Sequence, residues 1–540
     1  MADFSRRGLL AGAVAGGITL GLNGNSASAA QPDIHAGSVA TGNCAPPPAA
    51  VAVGRSDPRY PSLITPWNRR FQGNPQNVHI VQSAQQIAEV LSDAVGAKKR
   101  ISVRSGGHCF ENFTSSPDIQ ELIDVSQMSD VYYDPKRRAF AVESGATLGQ
   151  VYNTLVKGWA VTIPGGICPG VGAGGHIAGG GYGFLSRRYG LAADYLYAVE
   201  VVIVDKSGRS RIVVATREEG DPNRDLWWAH TGGGGGNFGV VTRYWLRSPG
   251  TDSRDPAELL PRVPATMINR TITINWDQLN RASFSKFLRN YCTWFEQNSA
   301  PDSRNANLWG GFFAFHQSAG PLGFVVGVDS GVPGAQSLLD AHCEAVMSGV
   351  GVQPVADTTD SAPYLDERNW QIEPYARSKD KAANLRRGFS DRQIAAIYRG
   401  LTDPEPTNPG ACFAMAGYGG KINAVAPGAT ATADRDSVLR VYITGGRWSS
   451  PDEDAKYIKW IREFYRDIYA ETGGVPVPNA INAGSYINYP DADLADPAWN
   501  KSGTSWAELY YKSNYPRLQR IKKRYDPGNV FRHALSIVPR

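Results

Sequence analysis

The chain has 540 residues, 55 basic against 50 acidic side chains for a formal net charge of +5, and 59 glycines. That length argues for more than one structural unit, and balanced charge without a long Lys/Arg run excludes a protein that coats nucleic acid. A hydrophobic fraction of 42% with 13 Trp, 24 Tyr and 18 Phe excludes a disordered chain.

Residues 1–29 read as an export signal. Ser5-Arg6-Arg7-Gly8-Leu9-Leu10 supplies a twin arginine, an apolar stretch diluted by Gly and Ala follows, and Ala27-Ser28-Ala29 is a small-x-small cleavage site. The apolar run falls short of the ~20 residues that span a bilayer, so we expect a secreted protein with no membrane partner. The twin-arginine route resembles systems that export folded proteins with a cofactor already loaded. Residues 30–73, rich in Ala, Pro and Gly, are expected to form an extended lead-in.

From residue 74 to 250 strands and helices alternate. A short strand at 79–81 precedes Ser83 and Gln86, a capping box, and Ile87, Val90, Leu91, Ala94 and Val95 repeat at helical spacing. A strand at 101–103 runs into Arg104-Ser105-Gly106-Gly107-His108. Another, 139–142, ends at Glu143-Ser144-Gly145, after which Thr147 and Gln150 cap a helix. Strands 199–204 and 210–214 flank Asp205-Lys206-Ser207-Gly208, a hairpin by its turn residues. We read this stretch as a compact cofactor-binding unit. From 251 to 479 aromatic strands (308–315, 324–328, 412–418, 438–444) alternate with amphipathic helices at 282–298 and 451–472, the second capped by Ser450 and stopped by Gly473. This is the expected substrate domain. The tail, 480–540, carries Tyr486-Ile487-Asn488-Tyr489, a helix from Ser505 and Asp526-Pro527-Gly528-Asn529-Val530-Phe531.

The six cysteines (Cys44, Cys109, Cys168, Cys292, Cys343, Cys412) form no CxxC pair, so no zinc site is expected. Export and an even count permit three disulfides, with no pairing legible. The eight histidines show no H-x-x-x-H pair, and no metal is expected.

The glycine excess is local. Eleven of the 59 fall within residues 165–190 and six more within 232–239. Glycine lets backbone approach a ligand without a Cβ clash, and successive N–H groups can cradle pyrophosphate. Gly170-x-Gly172-x-x-Gly175 fits GxGxxG only weakly, because the strand-turn-helix context of a dinucleotide fingerprint is not evident and no clean helix is expected after it. Ile, Val, Cys, His and Tyr set among the glycines argue against a flexible linker. The second window, with Asn237 and Phe238, runs into a strand containing Val241.

Together Arg104-Ser105-Gly106-Gly107-His108, the first window with Cys168, Gly235-Gly236-Asn237-Phe238-Gly239, Tyr486-x-Asn488-Tyr489 and Asp526-Pro527-x-Asn529-x-Phe531 resemble the berberine bridge enzyme-like family of FAD-linked oxidases. The resemblance implies an α+β fold: a two-part PCMH-type FAD domain, completed by the tail, and a substrate domain whose antiparallel sheet covers the flavin. It implies bicovalent FAD, with His108 on the 8α-methyl and Cys168 on C6, both side chains being nucleophiles. Arg104, Ser105, Gly106, Gly107, Gly165, Gly166, Gly170, Val171, Gly172, Gly174, Gly175, His176, Gly179, Gly180, Tyr182, Gly183, Val204, Gly236, Asn237, Gly239, Val241, Tyr486, Asn488 and Asn529 are the implied cofactor contacts. Tyr489 is the first candidate base and Tyr418 the second, because Asn423-Ala424 follows Gly419-Gly420-Lys421 where many members carry an acidic or amide side chain. Tyr182 is expected to orient substrate, and Val171, at the position governing O2 access, points to an oxidase releasing H2O2. The implied substrate is a glycoside, with the terminal deoxysugar of an anthracycline oxidised to a ketone and desaturation beside the ketone as an optional second step. The alternative is a gluco- or chito-oligosaccharide oxidase producing lactones. Oligomeric state is not legible.

Overall fold

The computed structural model describes residues 49–540 apart from Pro409. The export signal, Cys44 and the start of the lead-in lie outside the described residues.

Three sheets organise the chain. The first contains β1 (Val51–Gly54), β2 (Asn77–Ile80), β3 (Ile101–Arg104) and β4 (Glu121–Asp124) in the order β1-β2-β4-β3, with β2, β4 and β3 parallel and β1 antiparallel at the edge. The lead-in is therefore not extended throughout. Val53 is buried in β1, and Tyr60 anchors a short helix, Tyr60–Ile64, by donating to the Pro75 carbonyl at 2.5 Å. The helix Ala84–Gly96 connects β2 to β3, and the Ser83 hydroxyl accepts from Gln86 N at 3.2 Å, one half of the expected capping box, while Gln86 Oε1 accepts from Gln82 N at 2.6 Å.

The second sheet is antiparallel. It comprises β5 (Val131–Asp134), β6 (Ala139–Glu143), β7 (Leu196–Val204), β8 (Ser210–Thr216) and β9 (Val240–Leu246), in the order β5-β6-β9-β7-β8. The hairpin between β7 and β8 closes on Gly208 at φ 80°, and Asp205 Oδ1 accepts from Ser207 N at 2.8 Å. A side-chain acceptor inside the turn and a residue that tolerates positive φ are what that sequence supplies. Thr147 and Gln150 form a reciprocal capping box on the helix Leu148–Trp159.

The third sheet holds β10 (Thr266–Ile274), β11 (Trp309–Phe315), β12 (Leu322–Asp329), β13 (Ala356–Pro363), β14 (Asp380–Leu385), β15 (Cys412–Gly417) and β16 (Leu439–Thr444). Its order is β13-β10-β12-β11-β15-β16-β14, and all pairs are antiparallel. Side chains of period two divide this sheet between two cores. Phe312, Ala314, Phe413, Met415, Val441 and Ile443 pack with the helices Arg281–Gln297, Asp391–Thr402 and Asp454–Ile468. Trp309, Phe313, Cys412, Ala414 and Tyr442 face the other way and cluster with Trp67, Phe110 and Tyr489. Each fully buried Phe contributes about 1.5–3 kcal/mol, so the sheet is held flat against the first half of the chain. Lys379 and Lys381 fasten the tail: Asp491 takes both ammonium groups at 2.6 Å, Glu111 takes Lys379 at 2.6 Å and Asp493 takes Lys381 at 2.8 Å.

The helix expected over 451–472 is interrupted. A 3-10 turn Pro451–Glu453 precedes the α-helix Asp454–Ile468, and a second 3-10 turn, Ala470–Thr472, reaches Gly473. Tyr469 is buried with its ring 4.8 Å from that of Tyr465 and takes φ −106°, which ends the helix one turn early. Cys109, Cys168, Cys292 and Cys343 carry thiols, so three disulfides do not form.

Candidate active site

Between the first two sheets and the third runs a cavity with about 1940 Å³ of empty space, its open mouth included. The glycine segments line it because they are pressed against one another. A Cβ on Gly106 would fall on the backbone of Gly172, and one on Gly172 would meet Ser105 and Gly106. Leu148 N donates to Val171 O at 2.8 Å and Gly174 N to Ser144 O at 3.0 Å, which lays the window along the end of β6 and the start of the helix Leu148–Trp159 that precede it. Contrary to expectation, a short helix does follow GxGxxG: Ala173–Ala178, with Gly172 at its N-cap. The alternation of small residues with His176 and Ile177 conceals it.

Burial holds His176 neutral, its pKa lowered to about 4, so Nε2 accepts from Gly166 N at 3.0 Å and fixes the turn before Cys168. Asn237 ties the second window, donating to Gly233 O at 3.1 Å while its Oδ1 accepts from Ile537 N at 2.8 Å. Lys522 joins the Asn237 carbonyl (2.6 Å) to Asp526, and Asp526 accepts from Val530 N at 2.8 Å. The tail motif is thus a clamp on the glycine loop.

Of the sequence-predicted residues, Arg104, Ser105, Gly106, Gly107, His108, Gly166, Cys168, Val171, Gly172, Gly174, Gly175, His176, Tyr182, Gly183, Gly236, Asn237, Gly239, Val241, Tyr486, Asn488 and Tyr489 line the cavity. Gly165, Gly170, Gly179, Gly180, Val204, Asn529 and Tyr418 do not. Gly179 leaves room for Asn488, and Val204 is in the core with Val125 and Val240. Tyr418 lies behind Tyr182, its ring 5.4 Å away, and donates its hydroxyl to Asp434 O at 3.1 Å.

The tyrosines differ in what their hydroxyls do. Tyr182 donates to Gly417 O at 2.6 Å, so it presents a ring to the cavity. Tyr486 accepts from Asn488 Nδ2 at 3.0 Å. Among the described residues, Tyr489 alone of these three has a hydroxyl with no hydrogen-bond partner, and its ring stacks on Phe110 at 5.5 Å and 8°. Behind them, Arg440 is buried with its guanidinium 3.6 Å from the Tyr486 ring, 4.4 Å from Tyr418 and 4.8 Å from Tyr182. Its Nε donates to Asn384 at 3.0 Å, Nη2 lies 3.9 Å from Asp434, and neither Nη1 nor Nη2 has a hydrogen-bond partner among the described residues.

The models of two families match: "FAD binding domain" over residues 75–209 and "Berberine and berberine like" over 485–538. The chain is 46% identical to the aclacinomycin-N/aclacinomycin-A oxidase of Streptomyces galilaeus over 547 residues, 99% of each chain. It belongs to the berberine bridge enzyme-like family. It is an FAD-dependent oxidoreductase of that family's fold. A glycopeptide hexose oxidase crystallised with teicoplanin is 48% identical, with a TM-score of 0.88, covering 92% of this chain and 100% of the other. The glucooligosaccharide oxidase of Acremonium strictum, which carries a 6-S-cysteinyl, 8α-N1-histidyl FAD, shares the fold at 22% identity and TM-score 0.75, over 91% of this chain and 97% of that one.

The berberine-bridge-like site fits FAD on its own evidence. Gly175 and Gly235 lie side by side in the cavity wall, where a Cβ on Gly235 would come 3.8 Å from Gly175 Cα, and a Cβ at Gly175 would meet no protein atom within 4 Å, which leaves that space to a ligand. His108 Nδ1 is buried without a partner, its ring stacked on Trp67 at 5.6 Å and 18°. Burial lowers the His108 pKa to about 4, so the ring is neutral and nucleophilic. Burial, and then Glu373, push the Cys168 thiol well above its usual range.

Sequence reasoning missed Phe110, Glu373, Arg440 and the His533–Phe113 stack (4.0 Å), which closes one end of the cavity. Phe110 sits two residues past His108 and was within reach of the motif. Glu373 and Arg440 carry no local signal, since each is brought in by tertiary packing.

Proposed function

We propose that this protein is an oxidase that converts a hydroxyl of a sugar to a ketone, with O2 as acceptor and H2O2 as product. The sugar is the terminal deoxysugar of a glycosylated polyketide antibiotic, a reading supported by the likeness to oxidases of an anthracycline and a glycopeptide. FAD would be held by two covalent bonds, from His108 Nδ1 and Cys168 Sγ. When bound, it supplies the two-electron acceptor for the carbinol C–H.

The chain's own part is to bind the ring and remove the hydroxyl proton. Phe110 and Tyr182 line the cavity with Tyr489 and offer aromatic surfaces on which a sugar ring packs, with Tyr442 supporting Tyr489 from behind. The unpartnered hydroxyl of Tyr489 carries this reading: it is the cavity tyrosine whose oxygen, once deprotonated, can take the substrate proton without first breaking an internal bond. Burial pushes its pKa well up and the Arg440 charge opposes that rise. Tyr418, turned from the cavity toward Asp434, is assigned no step. Val171 lines the cavity near Cys168, and in this reading its small side chain governs O2 access. The export signal would deliver the loaded enzyme outside the cell.

The test is a peroxide assay on purified enzyme across glycosylated anthracyclines, cello-oligosaccharides and chito-oligosaccharides, with product masses. Peroxide with loss of two hydrogens from the anthracycline supports the reading, and turnover of the oligosaccharides to lactones replaces it. Flavin should remain with acid-precipitated protein; its release, with no mass added to the His108 peptide, overturns the covalent attachment.

A further inference from the structure

Glu373 is a buried cavity carboxylate with no part in the chemistry above. It sits on the loop between β13 and β14, where side chains alternate: Gln371 and Glu373 turn inward while Ile372 between them is 72% exposed. Gln371 N donates to Ile167 O at 3.1 Å, which pins this loop against the residue preceding Cys168. The carboxylate accepts from Gln371 Nε2 at 3.2 Å and lies 3.8 Å from Arg447, a cation shared with Asp380 at 3.0 Å.

We propose that Glu373 is the proton acceptor for Cys168, directly or across one water, when its sulfur bonds to C6 of FAD. The proposal rests on the reading that Cys168 holds the cofactor. In that reaction the S–H and C6–H bonds break and the S–C6 bond forms. The S–H proton goes to Glu373, the C6–H proton to solvent, and the two electrons to dioxygen, which takes up two protons and leaves as hydrogen peroxide.

Few groups around this thiol can take its proton. A thiolate is the attacking form, and burial keeps the Cys168 thiol protonated at neutral pH. The charged or titratable groups that face it are Glu373, Arg447, Tyr152 and Tyr489. Arg447 cannot accept a proton, the Tyr152 hydroxyl is spent donating to Gly166 O at 2.6 Å, and burial leaves only a small fraction of Tyr489 deprotonated at neutral pH, the fraction on which turnover draws. Glu373 remains. Burial first, opposed by Arg447 and reinforced by Asp380, raises its pKa to about 7, near the value at which a base is most effective at neutral pH.

The test follows attachment rather than turnover. Full-length wild type, E373Q and E373D, produced under flavin limitation, are loaded with FAD in air and acid-quenched over time. The masses of the peptides containing Cys168 and His108 are then read. We expect wild type to acquire both bonds, with one peroxide for each bond formed, since the His108 bond also sends two electrons through the flavin to dioxygen, and no peroxide without air. In E373Q the His108 bond should form at the wild-type rate and the Cys168 bond roughly a hundredfold more slowly, with E373D recovering most of the loss. The wild-type rate at Cys168 should rise with pH around a midpoint near 7. A Cys168 bond formed equally fast in E373Q overturns the proposal, and if E373Q fails to fold, a pH-independent wild-type rate does so instead. Wild type with no flavin mass on the Cys168 peptide overturns the reading beneath it.

Discussion

Replacing Arg440 by Met should move the pH dependence of turnover while leaving substrate binding in place. The guanidinium is buried at 3.6 Å from the Tyr486 ring, whose own centroid is 5.2 Å from that of Tyr489, so Arg440 and Tyr489 are no more than about 9 Å apart. At an effective dielectric of ~20 a unit charge at that distance stabilises a phenolate by about 1.8 kcal/mol, or about 1.4 pH units. Asp434, 3.9 Å from Arg440, and the phenols of Tyr182, Tyr418 and Tyr486 also face the charge, and none of them neutralises it through a hydrogen bond to Nη1 or Nη2. The sign follows from the base's role. Turnover needs Tyr489 deprotonated, removing the cation raises its pKa, and the rising limb of kcat/KM therefore moves to higher pH. Near neutrality kcat/KM in R440M should fall ~20-fold, while R440K, which keeps the charge, should stay close to wild type. Steady-state profiles with peroxide readout measure both. A rising limb in R440M that overlays wild type refutes the electrostatic reasoning.

Lys522→Met should leave the Asp526 carboxylate buried without its cation and the Asn237 and Phe531 carbonyls without a donor. Breaking such a pair costs about 3–5 kcal/mol, to be seen as a Tm several degrees lower with weaker FAD loading; an unchanged Tm contradicts the clamp. Val171→Leu should slow turnover with O2 and leave turnover with an artificial dye near wild type, whereas equal loss with both acceptors removes any role in O2 access. Replacing Arg6 and Arg7 together by Lys should retain the protein inside the cell, as judged by blotting cell and medium fractions. Undiminished export of the double variant rules out the twin-arginine route.

Much of the fold is local and therefore legible. Ser83–Gln86 and Thr147–Gln150 cap their helices as the spacing predicts, and Asp205 to Gly208 makes its turn. The missed strands have tertiary causes. In β13 Asp357, Thr359 and Ser361 alternate outward because it is an edge strand paired only with β10, where the charge of Asp357 discourages further pairing. In β14 Asp380, Lys381 and Asn384 read as a loop, yet all are buried, because their partners come from Arg447, Asp491 and Arg440. The site divides the same way. His108, Cys168, Tyr182 and Tyr489 fall within motifs, whereas the orientation of Tyr418 depends on Asp434, and Glu373 and Arg440 reach the site on elements far along the chain.

Tyr489→Phe tests the central claim most directly. Purified wild type and Y489F, matched for flavin content, are given the glycoside that supports turnover, and peroxide and oxidised product are measured in parallel. The account predicts peroxide and product at equal rates in wild type and a loss of roughly a hundredfold or more in both for Y489F, with flavin attachment intact. Y489F that turns over as fast as wild type contradicts it.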